Sequence, residues 1–215
     1  SSMPVLAMKT ETVTPEEFNY IDFFLPGMIG FTAMTTPLFA MASLCSEYRN
    51  RGYFKLLATT PIKKSEWLVS KILWYIVVIY ASFALMVVVG IAAFGLKFTL
   101  TPIAIIMIAM SVLLFTSMGM LIGAFTKNPE TSAAIAQAIG FPMMFLSGLF
   151  FSIDMMPPFL RSVAHVLPLT YVNEGLRATM IYNNSATALI NLAVVSIIAV
   201  IFFALAAKAM SWKKK

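Results

Sequence analysis

Charge is what this 215-residue sequence has least of: Asp, Glu, Lys and Arg make up 11% of it, against 60% hydrophobic residues. A soluble domain carries roughly 25% charged residues, so there is too little charge here to cover a water-facing surface. With a mean hydropathy of +0.88, the solvent for most of the chain is lipid. Cysteine is nearly missing too. Cys45 stands alone among small apolar neighbours, which rules out an internal disulfide and marks a packing residue. A single histidine, His165, rules out a histidine metal cluster. No glycine precedes a lysine directly, so the phosphate-binding loop ending in Gly-Lys-Ser/Thr is absent, as are HExxH and GxSxG. No apolar run holds a cluster of Asp, Glu or His of the kind an ion-coupled carrier needs near the midplane. Energy for any transport therefore comes from outside this chain.

What is present is a series of long apolar runs. About 20 such residues cross the hydrocarbon core, and the runs 23–45, 72–94, 102–125, 131–151 and 187–207 predict five membrane-spanning helices in a single 22–210 domain. Residues 1–21 read as a loop leading into the first span and 211–215 as a basic tail. The net charge of +6 does not point to nucleic acid, because the basic residues lie between and after the apolar runs. Eleven of the fifteen Lys and Arg fall on one side of a five-span arrangement, in 46–71, at Lys127 and in the tail from Lys208. The positive-inside rule then places the C-terminus and the 46–71 loop in the cytoplasm and the N-terminal residues outside. Sixteen methionines include the pairs Met143-Met144 and Met155-Met156, but with no Cys or His beside them they read as apolar filler rather than copper ligands.

Three segments carry functional information. The 46–71 loop is far longer than the roughly 2–8 residues a helix hairpin needs. Its apolar Tyr53, Phe54, Leu56 and Leu57 sit amid Glu47, Arg49, Arg51 and Lys55, with Pro61 ending a short amphipathic helix. That pattern suits a membrane-surface anchor or a docking knob for a cytoplasmic partner. The segment 152–182, following Phe151, carries Pro157, Pro158 and Pro168 and cannot be one continuous helix. Two short helices entering the outer leaflet and returning are predicted, with Glu174 and Arg177 on one helix face, able to neutralise each other. Such a hairpin is either a bundle-stabilising lid or an extracellular gate. Within the spans, Gly119 and Gly123 form a small-xxx-small pair for close helix approach. Gln137 and Pro142, in the fourth run, are candidates for facing a pathway.

Two blocks resemble the type 2 ABC transporter permease family, which includes drug-resistance and polysaccharide exporters. The first is Glu47-Tyr48-Arg49 through Gly52, Lys55-Leu56-Leu57, Thr60-Pro61 and Lys71; the second is Ser147 to Phe151, Met156-Pro157, Leu160, Leu167 to Tyr171 and Glu174 to Arg177. The resemblance implies a six-span subunit paired with a second permease subunit, identical or different, above two cytoplasmic ABC ATPase subunits that bind ATP and Mg. It assigns the 46–71 segment as the coupling helix and 152–182 as re-entrant extracellular helices. This chain itself would bind no cofactor and would not be an enzyme, and its substrate would be a small molecule, a lipid or a polymer. The resemblance runs from about residue 22 to the end and leaves the family's first span without a counterpart, so the chain is expected to represent the family fold minus that span. Two other classes stay open at this stage: an ion-coupled carrier or channel, and a membrane assembly factor or lipid-modifying enzyme, for which only Asp154, Arg161 and His165 approach a polar cluster.

Overall fold

The computed structural model describes residues 20–94, 101–150 and 153–209, and among them there is helix and no strand. The helices are α1 (Tyr20–Asn50), α2 (Tyr53–Leu57), α3 (Lys64–Phe94), α4 (Pro102–Phe125), α5 (Pro129–Leu146), α6 (Pro158–Ala164), α7 (Pro168–Met180) and α8 (Ser185–Ala209), with a 3-10 turn at Ile153–Met155. Proline sets several of the starts. Pro102, Pro129, Pro158 and Pro168 each occupy the first position of a helix, where the missing N–H is not needed and the fixed φ suits the helix. At α4 the Thr101 hydroxyl also accepts from the Ala104 N–H at 3.3 Å, a side-chain N-cap.

Among the described residues four helices, α1, α3, α4 and α8, are long and apolar enough to cross a membrane. The run 131–151, read as a fifth span, folds as the 18-residue α5, which ends at Leu146. Glu130, Gln137 and Pro142 keep it from being among the helices apolar enough to cross, and at 1.5 Å per residue it is about 27 Å long. α1 and α3 overrun their apolar runs, continuing to Asn50 and starting at Lys64.

α4 is the hub. It packs against α1, α8, α7, α3 and α5, and Met107, Ile108, Val112, Leu114, Phe115 and Met120 are fully enclosed. Its closest neighbour is α1, and glycine makes that approach possible. A Cβ on Gly119 would lie 2.5 Å from the Leu38 carbonyl oxygen, and one on Gly123 2.5 Å from that of Ala42. Small residues at such a seam bring backbones together where lipid offers no hydrophobic drive to associate. α3 is peripheral, leaving Leu73, Trp74, Val77, Leu85 and Val88 on the outer surface. α7 is the opposite case: it lies inside the bundle against α8, α1 and α4, with Leu169, Val172, Asn173, Leu176 and Arg177 all buried.

Candidate functional site

At the basic end of the bundle, α1 continues through Glu47 and Arg49, so these two residues of the presumed loop are helical. Gly52 then turns the chain with φ +71, and nothing lies within 4 Å of where its Cβ would be. The left-handed conformation favours glycine, and it redirects the chain into α2. Positions three apart share a helix face, which sorts the apolar cluster into two. Phe54 and Leu57 turn inward, Phe54 meeting the Trp67 ring edge-on at 5.4 Å and the Tyr48 ring at 6.2 Å. Lys71 Nζ lies 5.5 Å from the centre of the Tyr48 ring and 5.7 Å from that of Trp67. Leu56 turns outward, 64% exposed, and Tyr53, 43% exposed, lays one side of its ring on Tyr48 at 4.6 Å, beside exposed Lys55 and Pro61. Phe54, at 6% exposure, is thus part of the chain's own packing, and the outward knob is formed by Tyr53 and Leu56.

Arg49 also faces inward. Its guanidinium donates to the carbonyls of Ala124 and Thr126 at the end of α4, where a cation complements the helix dipole and the unpaired last carbonyls. Ser46 Oγ donates to the same Thr126 carbonyl at 3.4 Å, and the Thr126 hydroxyl hydrogen-bonds Ser132 in the first turn of α5. Arg51 lies outward, paired with Glu47 at 2.7 Å one turn back; an exposed pair of this kind contributes little.

At the opposite end the polar centre is Arg177. Its Nη2 donates to the carbonyls of Gly148 and Leu149, and its Nε to that of Phe23 at 3.3 Å. The guanidinium carbon lies 3.7 Å from the centre of the Phe23 ring, a cation–π contact. Pro26, inside α1, removes one helical hydrogen bond and crowds the carbonyls of the turn before it; Phe23 belongs to that turn. Arg177 therefore ties α7 to the opened turn of α1 and to the chain leaving α5. Glu174, half-buried one turn earlier, shares its helix face, but the hydrogen bonds of the guanidinium run to main-chain carbonyls. Beside it, Asn173 Nδ2 donates to the Ser147 carbonyl at 2.9 Å. Thr170 Oγ1 donates to the Ala164 carbonyl at 2.6 Å and the Tyr171 hydroxyl to that of His165 at 2.7 Å, fastening α6 to α7. Pro157 is exposed and Pro168 buried; Phe151 lies outside the described residues.

Gln137 and Pro142 lie apart from both ends, on the outward stripe of α5 with Ala138, Phe141 and Phe145, while Ser132, Ala136, Gly140 and Met143 face inward. Phe145 stacks on Phe150 at 5.6 Å and Phe150 lies 6.0 Å from Phe24, extending an aromatic row from α5 to α1. Asn173, Gly30 and Phe24 were not singled out from the sequence. Asn173 alone had a readable signal, as an amide four residues before a basic residue on a helix otherwise apolar on that face.

A family model described as ABC-2 family transporter protein matches residues 3–208. The chain belongs to that family. Its ABC-2 relatives include the "Probable multidrug ABC transporter permease YbhS" of Escherichia coli K12, 26% identical over 170 residues that cover 78% of this chain and 45% of that protein. The "Inner membrane transport permease YadH" of the same organism is 21% identical over 196 residues, 86% of this chain and 73% of YadH. The "Linearmycin resistance permease protein LnrN" of Bacillus subtilis is 26% identical over 149 residues, 68% of this chain and 39% of LnrN. The chain thus spans under half the length of YbhS. As an ABC-2 protein with several membrane-crossing helices, it is a multi-pass membrane protein.

Proposed function

We propose that this ABC-2 chain is the transmembrane permease part of an ATP-driven exporter, with ATP and Mg bound and hydrolysed by separate cytoplasmic ABC ATPase subunits. The basic end is the cytoplasmic end. The carrying observation is the knob at α2: Tyr53 and Leu56 stand outward among basic side chains, while Phe54 and Trp67 beneath them hold the short helix rigidly to α1 and α3. A five-residue helix has no stability of its own in water, so one braced from below with apolar side chains left outside suits a docking role. Export of a small molecule, a lipid or a polymer conjugate would run along α5, whose Gln137 stripe would face a second permease subunit, identical or different. An amide at mid-helix is poorly placed against lipid alone.

The test is co-expression of the full permease with ABC ATPase subunits of the same organism, followed by purification and reconstitution in liposomes. The ATPase co-purifies, and a membrane-impermeant maleimide added to intact cells labels Val166→Cys but not Lys64→Cys. Labelling of position 64 from outside would invert the orientation, and a permease that retains no ATPase under mild extraction would sink the exporter reading.

A further inference from the structure

Arg49 stands where the docking segment leaves the bundle, yet its side chain points away from any partner. Its two terminal nitrogens hold the carbonyls of Ala124 and Thr126, and Thr126 passes the contact to Ser132 of α5. On the bundle side of Arg49 the chain is locked. Cys45 and Ser46 are buried, and a Cβ on Gly123 would lie 2.7 Å from Cys45 Cβ and 3.2 Å from the Ser46 nitrogen. On the other side Gly52, with a left-handed φ and open space around it, turns the chain into α2. The Tyr48–Phe54–Trp67 cluster joins α2 to the same last turns of α1. Trp67 ties α2 to the start of α3 as well, so a push on α2 has two stiff routes into the bundle, and the one through the end of α1 meets Arg49. Across that route lies α5, whose inner face is Ser132, Ala136, Gly140 and Met143. It packs closely enough on α1 that a Cβ on Gly140 would lie 2.8 Å from the Phe39 ring, so a shift of the end of α1 reaches it directly.

We infer that Arg49 is a positioning residue that passes displacement of the α2 knob to the first turn of α5, the helix carrying Gln137. This rests on the permease reading above and adds to it the internal route. A guanidinium fork fixes two carbonyls in direction as well as distance, whereas an ammonium holds them only as a point charge. Substitution by lysine therefore keeps the charge and loses the geometry.

Single-cysteine reporters in a Cys45→Ala background test this in the full permease with its ATPase, reconstituted in liposomes. Lys55→Cys reports on α2 and Thr131→Cys on the first turn of α5; both positions are exposed. The readout is the rate of modification by a water-soluble maleimide, without nucleotide and with MgATP plus orthovanadate. With Arg49 in place, nucleotide changes the rate at both reporters by at least about fivefold, the lower range of an allosteric coupling. With Arg49→Ala or Arg49→Lys the change at position 55 persists and that at position 131 is lost. Ser132→Ala, which leaves α1 untouched, gives the same selective loss and covers the case in which Arg49 variants fail to fold. A full response at position 131 in these variants overturns the inference, as does loss of both responses while the ATPase stays bound. Absence of any nucleotide response at position 55 with Arg49 intact counts instead against the permease reading.

Discussion

Asn173 Oδ1 presses on Gly30 so closely that a Cβ at position 30 would lie 2.1 Å from it. The amide cannot simply turn aside, because its Nδ2 holds the Ser147 carbonyl and the residue is fully buried. α7 therefore seats on α1 only while residue 30 has no side chain. Gly30→Ala forces a buried amide or a helix to move and should destabilise by about 1–3 kcal/mol, the usual cost of overpacking. Adding Asn173→Ala relieves the clash, so the double variant should lose less than the sum of the singles. Thermal unfolding of the four proteins in one detergent checks this; strict additivity would disprove the contact.

Gly119 and Gly123 face a less forgiving neighbour, since the atoms a Cβ would strike are the backbone oxygens of Leu38 and Ala42. No rotamer change relieves that clash, so α1 and α4 must separate. Alanine at either site should destabilise by about 3 kcal/mol, the top of the overpacking range. Gly52→Ala meets open space and only the left-handed φ, a penalty of roughly 1–2 kcal/mol. The ranking, read from the same unfolding curves, is the prediction; equal effects at positions 52 and 123 would contradict the packing argument.

Arg177 invites a revised double-mutant experiment. Its hydrogen bonds run to the carbonyls of Phe23, Gly148 and Leu149, with Glu174 a favourable charge beside them. Arg177→Ala leaves buried carbonyls without donors, each worth about 1–3 kcal/mol, so it should be the most damaging change at this end of the bundle. Adding Glu174→Ala should not rescue it, as a simple ion-pair argument would have it. Recovery of stability in the double variant would restore the pairing view.

The apolar runs made the long helices readable, because hydropathy over 20 residues is a local property. Gly119 and Gly123 were readable as a close seam for the same reason: the spacing is in the sequence even though the partner is not. Arg49 was not readable as a helix cap, since its acceptors at Ala124 and Thr126 are some 75 residues away. Arg177 was read as the neighbour of Glu174 because i,i+3 is visible in sequence, while Phe23 and Gly148 are brought to it only by packing. α5 looked like an ordinary span, and its shortness followed from a helix end at Leu146 that no proline or charge announces.

Phe54 and Leu56 differ most between sequence and structure, and they allow the sharpest test of function. Both looked like docking residues in one apolar cluster, but Phe54 is enclosed by Tyr48 and Trp67 while Leu56 stands outward. Phe54→Ala empties a packed site and should cost about 3 kcal/mol or more in stability, so any loss of ATPase binding it causes is indirect. Leu56→Ala removes no internal contact of comparable size and should leave the unfolding curve in place. If Leu56 enters a cleft of the ATPase, its truncation forfeits about 1–2 kcal/mol of burial, roughly a tenfold loss of affinity. Tyr53→Ala should weaken binding in the same way but also lower the unfolding temperature, because it removes the ring contact with Tyr48 at 4.6 Å. The measurement is ATPase retained per permease across a dilution series, beside the unfolding temperature of each variant. Were Leu56→Ala and Tyr53→Ala to bind the ATPase like the parent while Phe54→Ala alone failed, the outward face of α2 would not be the docking surface.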